Sequence, residues 1–86
     1  MKKVMVLGAS PNRKRFSHLC VKSLLRHGYD VVPIGKRNGD IDEVNLLTHR
    51  PQIRDLDTVT LYLNSENQKE YYDYILGLKP NRIIFN

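Results

Sequence analysis

The apolar run Val4-Met5-Val6-Leu7 ends on Gly8 and passes through Ala9-Ser10-Pro11-Asn12 into three consecutive cations, Arg13-Lys14-Arg15. A continuous apolar tetrad bounded by a glycine reads as a buried parallel strand, here over residues 3–8. The amphipathic segment that follows reads as a helix with Phe16, Leu19, Cys20, Val21, Leu24 and Leu25 on a broad apolar face. Gly28 ends it, because glycine tolerates the left-handed position after a helix. A strand, a glycine turn and a helix N-terminus together form an anion site. The first N–H groups of the helix have no partner within it, and its dipole favours negative charge there. Gly8 and Ala9 would let a phosphate approach the backbone, while Ser10 and Asn12 add side-chain donors. Arg13, Lys14 and Arg15 carry more charge than one phosphate needs.

The same alternation continues. Val31-Val32-Pro33-Ile34 reads as a second strand, with Pro33 implying irregularity near its end. Gly35 to Asp40 is a polar, basic loop, and Val44 to Leu47 reads as a short third strand. Thr48 to Asp57 has no clear period, and Arg50-Pro51 argues against helix. Thr58 to Leu63 is β-branched, aromatic and apolar, hence a strand. Ser65 with Gln68 forms a capping box that opens a second helix, whose buried face comprises Tyr71, Tyr72, Ile75, Leu76 and Leu78. Pro80 stops that helix, and Arg82 to Phe85 is a last strand. Strands alternating with helices predict an α/β fold with a mostly parallel sheet of four or five strands. In such a sheet the loops after Leu7, Ile34, Leu63 and Phe85 meet at one edge, where ligands bind. Lys36-Arg37 therefore reaches the same edge as Arg13 to Arg15. Two basic loops there suit a ligand with phosphates in two places.

At 86 residues the chain is expected to form one domain over 1–86, of ordinary globular composition at 41% hydrophobic and 27% charged. No apolar run approaches the ~20 residues that span a membrane, and the stretch after Lys2-Lys3 is too short for a signal peptide. The single cysteine, Cys20, excludes an internal disulfide and fits a reducing compartment, so a cytoplasmic protein is expected. The net charge of +5 lacks the basic stripe interleaved with aromatics that marks a nucleic-acid reader, so nucleic acid is a disfavoured partner.

The dinucleotide fingerprint Gly-x-Gly-x-x-Gly is absent, since Arg13 stands where its third glycine would be. The second strand ends in Gly35-Lys36-Arg37 rather than in an acid that would hold the ribose hydroxyls of NAD. That leaves NADP or coenzyme A, each with a phosphorylated ribose.

Gly8 to Asn12, Val21 to Tyr29 and Val31 to Ile34 resemble the stand-alone bacterial CoA-binding domain proteins. So do Asp57 to Asn64, Glu66 to Gln68 and Leu78 to Asn86. The resemblance runs end to end. It implies the Rossmann-like three-layer fold of the CoA-binding domain in the succinyl-CoA synthetase α subunit. It also implies CoA binding at Ser10, Asn12, Arg13 and Arg15, at Lys36, and after the later strands, where Asn64 and Asn86 stand. The family continues past the matching Phe-Asn with another helix and strand, so this chain reads as a shortened version. One side of the last strand would then be uncovered, and self-association, most simply a homodimer, is expected.

Blander readings stand beside these. Arg13 to Arg15 and Lys36-Arg37 are also what a solvated turn and a soluble loop look like. Cys20 reads as a small core residue, and Asn64 either lines the cleft or initiates a turn. His18, His27 and His49 lack metal-site spacing, so no metal is expected. No nucleophile with an evident base, and no carboxylate pair facing the loop edge, emerges. A binding module is the better reading than an enzyme, with an NADP-binding oxidoreductase fragment and a basic nucleic-acid module as the alternatives.

Overall fold

The apolar opening forms strand β1 (Lys3–Leu7), which sits inside a four-stranded parallel sheet. The computed structural model describes residues 2–86. Helix α1 (Phe16–Arg26) leads to β2 (Asp30–Ile34), and a small antiparallel hairpin of β3 (Asp40–Ile41) and β4 (Val44–Asn45) follows. Strand β5 (Leu56–Leu61), the short helices α2 (Ser65–Lys69) and α3 (Tyr72–Leu78), and strand β6 (Arg82–Phe85) complete the chain. The sheet order is β2-β1-β5-β6, with every pairing parallel. The chain steps outward from β1 to β2, then returns to β5 on the opposite side of β1. That reversal defines the switch point of a Rossmann-like α/β fold.

Two-residue alternation distributes the core to both faces of the sheet. Met5 and Leu7 join Ile34, Val59 and Leu61 under Ile75 and Leu78 of α3. Val6 and Val31 point the other way, against Val21 of α1 and against Ile41 and Leu46 around the hairpin. Helix, sheet and helix give three layers. Pro33 lies in β2, an edge strand of this sheet, where a missing N–H is tolerated.

Several elements differ from their sequence expectation. The predicted third strand is only the second arm of a hairpin, β4, and Leu47, two residues beyond it, makes a single parallel bridge to Ile34. In α1, Phe16 and Leu19 are 78% and 51% exposed rather than buried. The helix phase explains this, since Ser17, His18 and Val21 face the sheet and Leu19 lies on the far side from Val21 and Leu24. His18 fixes that phase by pairing Nδ1 with the Ser10 carbonyl at 2.9 Å. The second helix is broken near Glu70-Tyr71, and its cap is Asn64 rather than Ser65. Asn64 Oδ1 accepts from the Asn67 N–H at 2.9 Å, while Gln68 Nε2 donates to the Leu63 carbonyl. With the helix broken, Ile75 and Leu78 are buried, whereas Tyr72 and Leu76 face outward. Lys79 takes a left-handed conformation and Pro80 follows, so the stop falls where expected.

The register of β1 against β5 shifts at Asp57, which takes no partner in β1. Its carboxylate accepts from Thr58 Oγ1 at 2.7 Å and from Asn81 Nδ2 at 3.3 Å, and Arg82 stands 3.7 Å away. These contacts, Thr58 foremost, hold the Asp57 carboxyl below the usual carboxylate range. A carboxylate lowered by folding stabilises the fold above its unfolded pKa, and this contribution is lost as pH falls through the folded value. From about pH 4 downward, the urea midpoint of the unaltered chain is therefore expected to fall more steeply than that of Asp57→Asn. Parallel acid profiles would show that Asp57 does not join β6 to the sheet energetically.

Candidate functional site

The ends of β1, β2 and β5 converge closely. The Ile34 carbonyl accepts from the N–H groups of both Gly8 and Ala9, at 2.9 and 3.0 Å, and the Tyr62 N–H donates to the Leu7 carbonyl at 2.9 Å. Gly8 has φ +86°, and a Cβ built there would lie 2.7 Å from the Tyr62 carbonyl oxygen. A Cβ on Gly35 would collide with the Ala9 carbonyl. Both glycines thus allow backbone to approach backbone. Gly8 and Ala9 line the site as wall, with their N–H groups already committed within the chain.

Above this crossing lies a cleft of about 610 Å³. Of the residues expected at a ligand site, Gly8, Ala9, Ser10, Asn12, Arg15, Lys36 and Asn64 line it. Arg13 does not. Asn86 lines a neighbouring recess, and its side-chain nitrogen donates to Thr60 Oγ1 at 2.6 Å and to the Leu61 carbonyl at 3.1 Å.

The β1–α1 turn is held from within. Ser10 Oγ accepts from the Asn12 N–H at 3.1 Å, and Asn12 Oδ1 accepts from the Lys14 N–H at 3.0 Å. Each side chain keeps a donor, the Ser10 hydroxyl proton and the Asn12 amide, after holding the turn. Arg15 occupies the N-cap of α1 without a side-chain capping bond, and Phe16 and Ser17 of the first turn also line the cleft. Arg15, Lys36 and Arg37 contribute three cations, and among the described residues no carboxylate lines the cleft. None of the three joins an ion pair among the described residues. An environment of unneutralised cations and free donors is suited to a multiply charged anion.

Tyr62 and Tyr71, with Asn67 beside them, form an aromatic wall, and Phe16 adds a ring from the first turn of α1; the sequence reading placed none of these in the site. Burial, helped by a hydrogen bond to Cys20, pushes the Tyr62 hydroxyl up to about 12, so the side chain stays neutral. Arg50 stacks 4.2 Å above the Tyr71 ring and donates to the Glu70 carbonyl at 3.0 Å, bracing the break between α2 and α3. Tyr74 contacts Tyr71 edge-on and donates to the Pro51 carbonyl. Helix phase alone could have revealed Phe16, since a large apolar residue off the buried face needs another reason to be there.

The family model for the CoA binding domain matches residues 2–86. The chain belongs to this family. A crystal structure of an uncharacterized protein is 44% identical, with a TM-score of 0.95 over 100% of this chain and 71% of that one. A conserved hypothetical protein from Pyrococcus furiosus shares the fold at 18% identity and a TM-score of 0.86, covering 100% of this chain and 75% of its own. A hypothetical protein from Pyrococcus horikoshii is 26% identical with a TM-score of 0.81, covering 95% of this CoA-binding domain and 58% of its own chain. The search of curated proteins returned no match. No helix among the described residues is long and apolar enough to cross a membrane.

The close approach at Gly8 has a measurable consequence. Gly8→Ala would place a side chain at positive φ and against the Tyr62 carbonyl, at an expected cost of about 2 kcal/mol or more. For a domain of this size that is a fall of roughly 10 °C in Tm, readable by thermal melting. An unchanged Tm would mean that the β1–β5 approach can relax freely.

Proposed function

We propose that this chain binds coenzyme A in the cleft above the β1–β2–β5 crossing, with the nucleotide end over β1 and β2. Lys36 and Arg37, after β2, take the ribose phosphate. Ser10, Asn12 and Arg15, with the first turn of α1, take the pyrophosphate. The observation that carries the reading is the cleft's charge: three cations from two loops and no carboxylate. The order of the loops supports the orientation, because the β2 loop lies at one end of the sheet edge and the β1 turn beside it. Phosphates held by charged donors gain about 1.5–3 kcal/mol for each such bond, enough to place a flexible ligand. Arg13, outside the cleft lining, adds long-range attraction rather than a contact.

Titration calorimetry with CoA, dephospho-CoA and NADPH tests the reading. Dephospho-CoA is expected to bind about tenfold or more weakly than CoA, as follows from losing one charge-assisted contact. Replacing both cations (Lys36→Met with Arg37→Met) is expected to bring the two ligands to similar affinity. Equal affinity in the unaltered chain would remove the ribose-phosphate assignment. Absence of CoA binding, or a preference for NADPH, would overturn the reading as a whole.

A further inference from the structure

Along the loop edge of the sheet the chemistry changes from one side to the other. Lys36 and Arg37 follow β2, and Ser10, Asn12 and Arg15 follow β1. Tyr62 and Leu63 follow β5, and Asn86 follows β6 at the far side. With strands about 4.8 Å apart, this gradient from cationic to apolar extends over roughly 14 Å. A second recess, also about 610 Å³, opens at the apolar end and is lined by Phe16, Tyr62, Leu63 and Asn86. Phe16, Tyr62 and Leu63 line the main cleft as well, so the two spaces share one wall.

Three features give this recess its character. Phe16 is 78% exposed at the start of α1, so its ring packs no core and faces the space between cleft and recess. Tyr62 lines both spaces, and burial keeps its hydroxyl uncharged. The Asn86 amide nitrogen is committed to Thr60 and Leu61. Among the described residues no charged side chain lines the recess.

We infer that the recess receives an uncharged acyl group, and that the preferred ligand is a short or medium-chain acyl-CoA rather than free CoA. The inference rests on the coenzyme A reading above. With the phosphates over β1 and β2, the pantetheine arm runs toward β5 and β6 and delivers its thioester end beside Phe16. An apolar acyl chain loses water there against Phe16, Tyr62 and Leu63. A carboxylated acyl chain meets no cation in the recess and loses solvation without return. Phe16 is then a specificity residue that contacts the ligand at the boundary of the two spaces.

The test compares CoA, butyryl-CoA and succinyl-CoA by calorimetry on the unaltered chain, on Phe16→Ser and on Phe16→Trp. The readout is the ratio of affinities within each protein. A fully buried methylene contributes about fourfold and a half-buried one about twofold, so three half-buried acyl carbons are expected to make butyryl-CoA bind roughly tenfold more tightly than CoA. Succinyl-CoA is expected to bind no better than CoA. The butyryl preference is expected to fall to within about twofold in Phe16→Ser and to persist in Phe16→Trp. High exposure of Phe16 makes both variants compatible with folding. CoA and butyryl-CoA binding equally, or a preference indifferent to Phe16→Ser, would overturn the acyl assignment and leave the coenzyme A reading standing. Failure of every one of these ligands to bind the unaltered chain would overturn both.

Discussion

The Ile34 carbonyl oxygen, shared by the N–H groups of Gly8 and Ala9, ties the end of β2 to the end of β1. Beside it, Gly8 lies against the Tyr62 carbonyl and Gly35 against that of Ala9, at separations that leave no room for side chains. Three strand ends are thereby brought together, and the loops that leave them start from fixed positions. The β1–α1 turn is then closed by its own Ser10 and Asn12, and His18 anchors it from below through the Ser10 carbonyl. Ordering of these loops occurs on folding rather than on ligand binding, which lowers the entropy lost when a ligand arrives.

Much of this was legible in the residues. The parallel sheet follows from apolar runs separated by helical periods, and the convergence of two basic loops follows from the direction of parallel strands. The features that escaped detection depend on three-dimensional phase and tertiary contact. A capping box at Ser65 and Gln68 matches a sequence pattern, yet Asn64 competes for the same role with a better-placed side-chain oxygen. The α1 face was assigned by hydrophobicity, which counts Phe16 and Leu19 as core, whereas buried Ser17 and His18 set the actual rotation. In the cleft, cations and small polar residues could be recognised by type. Its aromatic wall could not, because Tyr62 and Tyr71 read as ordinary strand and helix residues until β5 and the break after α2 bring them together.

The distribution of charge also bears on stability. Arg15, Lys36 and Arg37 face a common space without carboxylate partners, so their mutual repulsion opposes folding modestly and is screened by salt. The ion pairs that do form, Lys22 with Asp42 and Arg82 with Asp57, lie on other parts of the surface. Binding of a polyanion would neutralise the repulsion, coupling ligand occupancy to the stability of the fold.

Helix α2 contributes no buried residue and consists of a single short turn and a half, capped by Asn64 and tethered by Gln68 to the Leu63 carbonyl. The β1 and β2 loops on the other side are bound into the sheet by backbone hydrogen bonds. The cleft accordingly has one hard wall and one soft wall. Amides in the soft wall can open without disturbing either core, at far lower free energy than global unfolding. A wider ligand in the proposed site would therefore be accommodated by yielding on the α2 side, while the side built from the β1 and β2 loops keeps its geometry.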